Sequence, residues 1–247
     1  MKGANASATN KNKTVLITGS ARRLGKEITL AVAAAGYPVI IHTSRSYSDA
    51  EDLVSQIINL GGKAKYISAD FSIPEKANEI FIKTFSDEEN LFALINNASI
   101  FEPENFIDTS YESWQTHFAV NLTTPFLISQ AFAKRVGKNS GRIINILDWR
   151  ALRPGKDHFS YTISKSALAA MTKAMALALA PNITANGLAL GTILSPSDGG
   201  SDSIIKSVPL GRWAKIKEVT DTVLFLLTGP EYITGEIIHL DGGRHLV

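Results

Sequence analysis

The chain has no cysteine among its 247 residues. That absence excludes disulfides, thiolate zinc centres, iron–sulfur clusters and cysteine nucleophiles. It also has no excess of either charge: 25 Lys and Arg stand against 23 Asp and Glu, a net charge of +2. With no basic stripe, nucleic acid is not an expected partner. No apolar run approaches the roughly 18 residues of a membrane span; the densest, Ala174 to Ala180, is seven residues long, so no membrane partner is expected either. The five histidines, His42, His117, His158, His239 and His245, show no paired spacing of the H-E-x-x-H kind, and no metal site is expected. Residues 1–12 are rich in Asn, Ala, Ser and Lys without an apolar core, unlike a signal peptide. They read as a disordered tail on a soluble cytoplasmic protein, with a single domain over residues 13–247.

What is present is a chain that is 45% hydrophobic, long enough to bury roughly 70–75% of its unfolded surface without covalent staples. Short β-branched runs alternate with helical patterns. Thr14–Thr18, Pro38–Thr43, Lys63–Ala69, Leu91–Ile95, Gly141–Leu147, Ile183–Leu190 and Glu236–Leu240 read as strands. Between them helices are expected over about Leu24–Ala35, Ser48–Leu60, Pro74–Phe85, Trp114–Arg135 (kinked or broken at Pro125), His158–Ala180 and Glu218–Thr228. A polar Gly/Ser/Pro loop is expected over Thr192–Ser203. Continuous apolar strands in strict alternation with helices imply one doubly wound α/β domain, a mostly parallel sheet with helices on both faces. Ligands of such a sheet bind outside the carboxyl ends of its strands.

Thr18-Gly19-Ser20-Ala21-Arg22-Arg23-Leu24-Gly25 joins the first strand to the first helix. Glycine permits the tight turn and close backbone approach, and the helix start supplies N–H groups for a pyrophosphate. It is not a P-loop: five residues separate Gly19 from Gly25-Lys26, and Glu27 replaces the Ser or Thr that would hold magnesium. At the end of the second strand a carboxylate would accept the ribose hydroxyls of NAD, but Thr43-Ser44-Arg45-Ser46 offers none. Arg45 and Ser46 suit a 2′-phosphate instead, which favours NADP; the plain alternative is that Arg45 is an exposed surface charge. Tyr161 and Lys165, four apart on an expected helix, share a face. An ammonium beside a phenol favours the phenolate and lowers its pKa.

With Asp70, Asn96-Asn97-Ala98, Asn121, Tyr232-Ile233-Thr234-Gly235 and Asp241-Gly242-Gly243 added in this order, residues 14–247 resemble the short-chain dehydrogenase/reductase superfamily. The resemblance implies a Rossmann-type fold, hydride transfer with NADPH, and a homotetramer. It implies Tyr161 as proton donor, Lys165 as its tuner and ribose contact, and Asn121 as a helix-kink and water-relay residue. It implies cofactor contacts from Gly19, Arg22, Arg23, Leu24 and Gly25 in the first turn, from His42, Arg45 and Ser46 after the second strand, and from Asp70 (adenine) and Phe71 after the third. Asn97 (ribose), Ala98, Ser99 and Gly191 complete that set.

Three departures narrow the resemblance. The superfamily's usual middle glycine is Arg23, its Asn-Asn-Ala-Gly is Asn-Asn-Ala-Ser99, and its catalytic serine is Asp148, 13 residues before Tyr161. All three, with Phe101 and the closing Asp241-Gly242-Gly243-Arg244-His245-Leu246, resemble pteridine reductases and dihydromonapterin reductases. A fourth departure, Leu190-Gly191 in place of Pro-Gly, leaves the 191–210 loop unspecified by the family pattern. The narrower resemblance implies reduction of a dihydropterin to a tetrahydropterin such as tetrahydrobiopterin, with Arg23, Ser99, Phe101, Asp148 and Tyr161 at the substrate. The chemistry agrees: a serine hydroxyl donates to a carbonyl oxygen gaining charge, whereas an ionised Asp148 repels that charge and suits a substrate protonated on nitrogen. Phe101 offers a face for a flat heteroaromatic ring. Two alternatives stand beside this: a carbonyl reductase of the same superfamily acting on a 3-oxoacyl thioester, sugar or steroid, and a non-catalytic NADP-binding regulator. The stretch Ser166–Ala180, apolar around most of its circumference with Lys173 its only charge, is expected to be buried on both sides, against a neighbouring subunit.

Overall fold

The computed structural model describes residues 10–193 and 205–247. Residues 1–9 of the expected tail, and most of the expected Thr192–Ser203 loop, lie outside them. Asn10 is already packed: it is buried and its side-chain amide donates to the Ala35 carbonyl. Asn10, inside the stretch read as tail, is thus part of the packed structure.

Seven strands, β1 (Thr14–Ile17), β2 (Val39–Thr43), β3 (Ala64–Ser68), β4 (Leu91–Asn96), β5 (Gly141–Asp148), β6 (Ile183–Leu190) and β7 (Ile237–Leu240), form one sheet in the order β3-β2-β1-β4-β5-β6-β7. Every pairing is parallel. Alternate residues of each central strand point to opposite faces. Val15, Ile17, Val39, Ile41 and Ile95 therefore pack beneath α1 (Arg23–Ala34), α2 (Tyr47–Asn59) and α7 (Ile216–Thr228). Leu16, Ile40, Leu94 and Ile143 meet Phe81 of α3 (Pro74–Ser86) and Phe132 of α5 (Thr124–Val136). Both faces are covered, which is why β1, β2, β4 and β6 are buried at every residue and read as unbroken apolar runs.

The expected long helix over 114–135 is divided. The α4 helix (Tyr111–Phe118) runs into a π-helical turn at Ala119–Thr123, and α5 follows. The break lies upstream of Pro125, which sits in the first turn of α5, where a missing N–H costs least. Lacking that N–H, Pro125 cannot close the ordinary i→i−4 bond onto Asn121, and the turn widens, with Thr124 donating to the Ala119 carbonyl. The α6 helix (Phe159–Leu179) is continuous, as expected. One side of it is uncovered in the single chain: Ala170, Lys173, Ala174 and Leu177 are exposed. Among the described residues no helix is long and apolar enough to cross a membrane.

Chain direction across the sheet reverses between β1 and β4, the switch point at which open α/β sheets hold their ligands.

Candidate active site

A cleft of about 640 Å³ opens at this switch point. Its floor is the β1–α1 turn. Gly19 has φ +59°, and a side chain there would sit 2.7 Å from the Ala98 Cα; Gly25 is equally crowded by Gly19 and Asn97. Both positions require glycine. The turn is fastened from three sides. The Thr18 hydroxyl accepts from the Asn97 and Ala98 N–H groups, at 2.9 and 3.0 Å. The Asn97 side-chain amide donates to the Thr18 and Gly19 carbonyls. His42 Nδ1 accepts the Gly19 N–H at 3.0 Å, so its proton is on Nε2, which donates to the Ala69 carbonyl. Burial lowers the His42 pKa to about 4, against the opposing bond to Ala69, and keeps the ring neutral.

Arg22, Arg23, Leu24, Arg45, Asp70, Phe71 and Ser99 line the same cleft as expected from sequence. Ser46 does not; Ser44 lines it beside Arg45, while the Ser46 N–H is taken by the Thr43 hydroxyl. Gly191 is also outside, packed so closely on Asp241 that a side chain would lie 2.5 Å from the Asp241 Cα. Arg45 reaches Asp70 at 3.5 Å but its side chain is 86% exposed, and Asp49, the nearest acid in sequence, is turned to Arg22. Arg23 holds a left-handed conformation, φ +51°, where the turn would favour glycine. Strain of this kind at a residue lining a cleft makes Arg23 a candidate functional position.

These residues fit a phosphorylated dinucleotide. The first turn of α1 contains no acid, its N–H groups face the switch point, and the end of β2 carries Arg45 rather than a carboxylate. Gly19 and Gly25 leave room where any side chain would fill the approach.

Asp148, Tyr161, Lys165 and Phe101 do not line this cleft; they form a second cluster across β5 and α6, joined to it through Ser99 and Asn121. Asp148, the last residue of β5, accepts the Arg150 N–H at 2.8 Å and the Tyr161 hydroxyl at 3.2 Å. Burial raises the Asp148 pKa, opposed by the Arg150 N–H and charge. Tyr161 is pushed well above the ordinary phenol value, first by burial and then by Asp148. This corrects the expectation that Lys165 lowers it. The Lys165 ammonium donates to the Ile146 carbonyl at 2.8 Å and sits 5.8 Å from the Tyr161 ring centroid. Burial lowers its own pKa to about 8. Tyr161 is therefore a protonated phenol held against a carboxyl group.

Asn121 lies in the π turn and is fully buried. Its Oδ1 accepts from the Ser99 hydroxyl and Ile100 N–H, and its Nδ2 donates to the Ile100 carbonyl and the Ser164 hydroxyl. With both ends of the amide engaged, the side chain fastens the 99–100 loop to α6. Phe101 stacks on His158 at 3.8 Å with rings 7° apart and meets Tyr161 edge-on at 4.6 Å. Arg150 stands 5.6 Å above the same ring and pairs with Asp157 at 2.9 Å. Arg150, His158 and Glu104 were not singled out in the sequence. They obey no motif spacing, and the one signal was proximity of Arg150 and His158 to Asp148 and Tyr161.

A family model described as enoyl-(acyl carrier protein) reductase matches residues 19–245. The chain is 32% identical over 234 residues to a 3-oxoacyl-[acyl-carrier-protein] reductase of Synechocystis sp., covering 92% of this chain and 95% of that one. It superposes with a TM-score of 0.89 on FolM alternative dihydrofolate reductase 1 of Brucella suis in complex with NADP, at 35% identity over 96% of this chain and 97% of the other. A short-chain dehydrogenase of Burkholderia cenocepacia in complex with NADP gives 0.89 at 30% identity, covering 95% and 98%.

Proposed function

The chain belongs to the short-chain dehydrogenase/reductase superfamily and is an NADP-dependent oxidoreductase, and from that premise we propose that it reduces pterins, a dihydropterin to its tetrahydropterin. The observation that carries this reading is the Asp148–Tyr161 pair: a buried carboxyl group bonded to the phenol at 3.2 Å.

NADPH, when bound, supplies the hydride, and the Gly19–Gly25 turn with Arg22, Arg23 and Arg45 holds it. The remaining chemistry belongs to the chain. Reduction of a ring C=N bond needs one proton at nitrogen as carbon is reduced. The Tyr161 hydroxyl, protonated at neutral pH, gives that proton. Asp148 holds the phenol in place and, protonated through its burial-raised pKa, resupplies Tyr161 after the transfer. Beside a carbonyl oxygen gaining negative charge, the same carboxylate is repulsive, and the hydroxyl donor of an oxyanion site is missing from position 148. Phe101, half-exposed and edge-on to Tyr161, would stack a flat heteroaromatic substrate, in place of or opposite to the His158 ring that now stacks on it. Arg23, which lines the cleft, would bridge the cofactor phosphates and the substrate's polar edge.

A second reading, reduction of 3-oxoacyl thioesters, is supported by the identity to 3-oxoacyl reductases, 32% in Synechocystis sp.. Measuring NADPH oxidation with dihydrobiopterin, dihydromonapterin, dihydrofolate and a 3-oxoacyl thioester side by side separates them. Turnover of a pterin is expected; turnover confined to the thioester overturns the proposal. The assembly that goes with this reading is a homotetramer using the exposed Ala170, Ala174 and Leu177 side of α6. Light scattering at micromolar concentration tests it, and a monomer there removes it.

A further inference from the structure

The helix that carries Tyr161 and Lys165 has no cap of its own. The position before its first residue is His158, in a left-handed conformation with φ +54°, and its side chain makes no bond to the helix start. The usual Ser, Thr, Asp or Asn is absent, yet the first N–H groups of any helix need partners from outside it. Here they come from a distant segment. The Glu104 carbonyl accepts the Phe159 N–H at 3.2 Å, and the Glu104 carboxylate accepts the Ser160 N–H at 3.1 Å. The carboxylate is 10% exposed, also accepts the Ser113 hydroxyl at 2.7 Å, and lies 3.7 Å from His117 Nδ1. Burial raises its pKa, but the Ser160 and Ser113 bonds outweigh that and hold it below the usual carboxylate range. A negative charge is thus fixed at the start of a 21-residue helix, where the helix dipole favours it.

Glu104 is three residues beyond Phe101 on the same loop. At the other end of that loop, Asn121 ties Ser99 and Ile100 to Ser164 of α6. The segment 99–104 is therefore pinned to α6 at both ends. Phe101 lies between the pins, stacked on His158 and edge-on to Tyr161.

We propose that Glu104 is a positioning residue for the reaction: it caps the proton donor's helix from the loop that carries the stacking ring, and so fixes Phe101 and Tyr161 at one separation. The inference rests on Tyr161 and Phe101 facing the substrate, and not on the substrate's being a pterin. It is therefore tested on whichever substrate the parent enzyme turns over, and a failed pterin assay leaves its own test intact.

The test compares Glu104→Ala, Glu104→Gln, Glu104→Asp and the control Asn105→Ala, whose side-chain bonds stay within its own turn, to Ile107 and Asp108. Each is also combined with Phe101→Ala. A displacement of about 1 Å at a reacting group costs up to roughly 100-fold. Glu104→Ala should lower kcat/KM by about 10–100-fold through both kcat and KM, with the Kd for NADPH unchanged. Glu104→Gln, which keeps an acceptor oxygen, should recover most of the loss. Glu104→Ala and Phe101→Ala should be markedly non-additive in kcat/KM, because either one alone breaks the ring–phenol registration. Asn105→Ala should leave kcat/KM within about twofold of the parent. Should Glu104→Ala not fold, Glu104→Asp, which withdraws the carboxylate by one methylene, carries the same expectation and the same cycle. Unchanged kcat/KM, additivity with Phe101→Ala, or an equal kinetic loss in Asn105→Ala would each overturn the proposal.

Discussion

The two ends of the site, the cofactor cleft and the cluster across β5 and α6, are held in different ways. At the cofactor end, side chains bond to backbone: Thr18 to the N–H groups of 97 and 98, Asn97 to the carbonyls of 18 and 19, His42 to Gly19 and Ala69. At the substrate end, backbone bonds of Asp148, Lys165 and Asn121 are joined by side chains that hold one another: Asp148 with Tyr161, Asp157 with Arg150 and His158, Phe101 with His158. A backbone-anchored mould suits one fixed ligand shape. Paired side chains can be exchanged without disturbing the sheet, which lets one fold serve many substrates. The first kind of site identifies its ligand by spacing and the second only by chemistry.

The largest effect expected from breaking this contrast is at the substrate end. Tyr161→Phe keeps the ring and its packing but removes the proton. Reduction should fall by about 10³–10⁴-fold while NADPH titration by fluorescence is unchanged. Retention of more than a tenth of the activity would show that the proton comes from elsewhere.

At the cofactor end the largest effect should be on stability, through His42. Its folded pKa is about 4, against roughly 6.5 in the unfolded chain. Between those values the unfolded state binds a proton that the folded state refuses. The stability from a neutral His42 is thus full above pH 6.5 and declines as pH falls toward 4, by about 3 kcal/mol in all. Urea unfolding at pH 7.5 and 4.5 reads this against His42→Gln, in which that part of the decline should vanish. A decline equally steep in the variant would assign the proton uptake to other groups.

A smaller effect is expected at the rim of the same end. Arg45→Asp replaces an exposed phosphate partner by a repelling carboxylate, and should weaken NADPH by about 10–100-fold while leaving NADH nearly unchanged. Equal losses for the two cofactors would show that Arg45 does not read the 2′-phosphate.

The same contrast explains what could be seen in the sequence. The strands were legible because burial on both faces makes most of their residues apolar, and the glycine turn because Gly19 and Gly25 have no room for a side chain. Pro125 was legible as a disruption but not its position, since the π turn absorbs the missing bond one turn upstream. Which serine after β2 lines the cleft, Ser44 rather than Ser46, was not legible, because side-chain direction there depends on how the chain turns into α2. The Tyr161–Lys165 spacing suggested an activated phenolate, but burial and Asp148 are tertiary facts, and they reverse the shift. Glu104 was invisible for a similar reason: it meets Ser160 across 56 residues of chain.

The central claim is that the Asp148 carboxyl group, acting with Tyr161, selects a substrate protonated on nitrogen. It is tested most directly by Asp148→Ser, assayed with NADPH against a dihydropterin and a 3-oxoacyl thioester in parallel. The account predicts pterin reduction lower by about 10²-fold or more, NADPH affinity retained, and a ratio of thioester to pterin turnover that rises. Pterin turnover equal to the parent's would contradict it and leave Asp148 as the cap of the turn after β5.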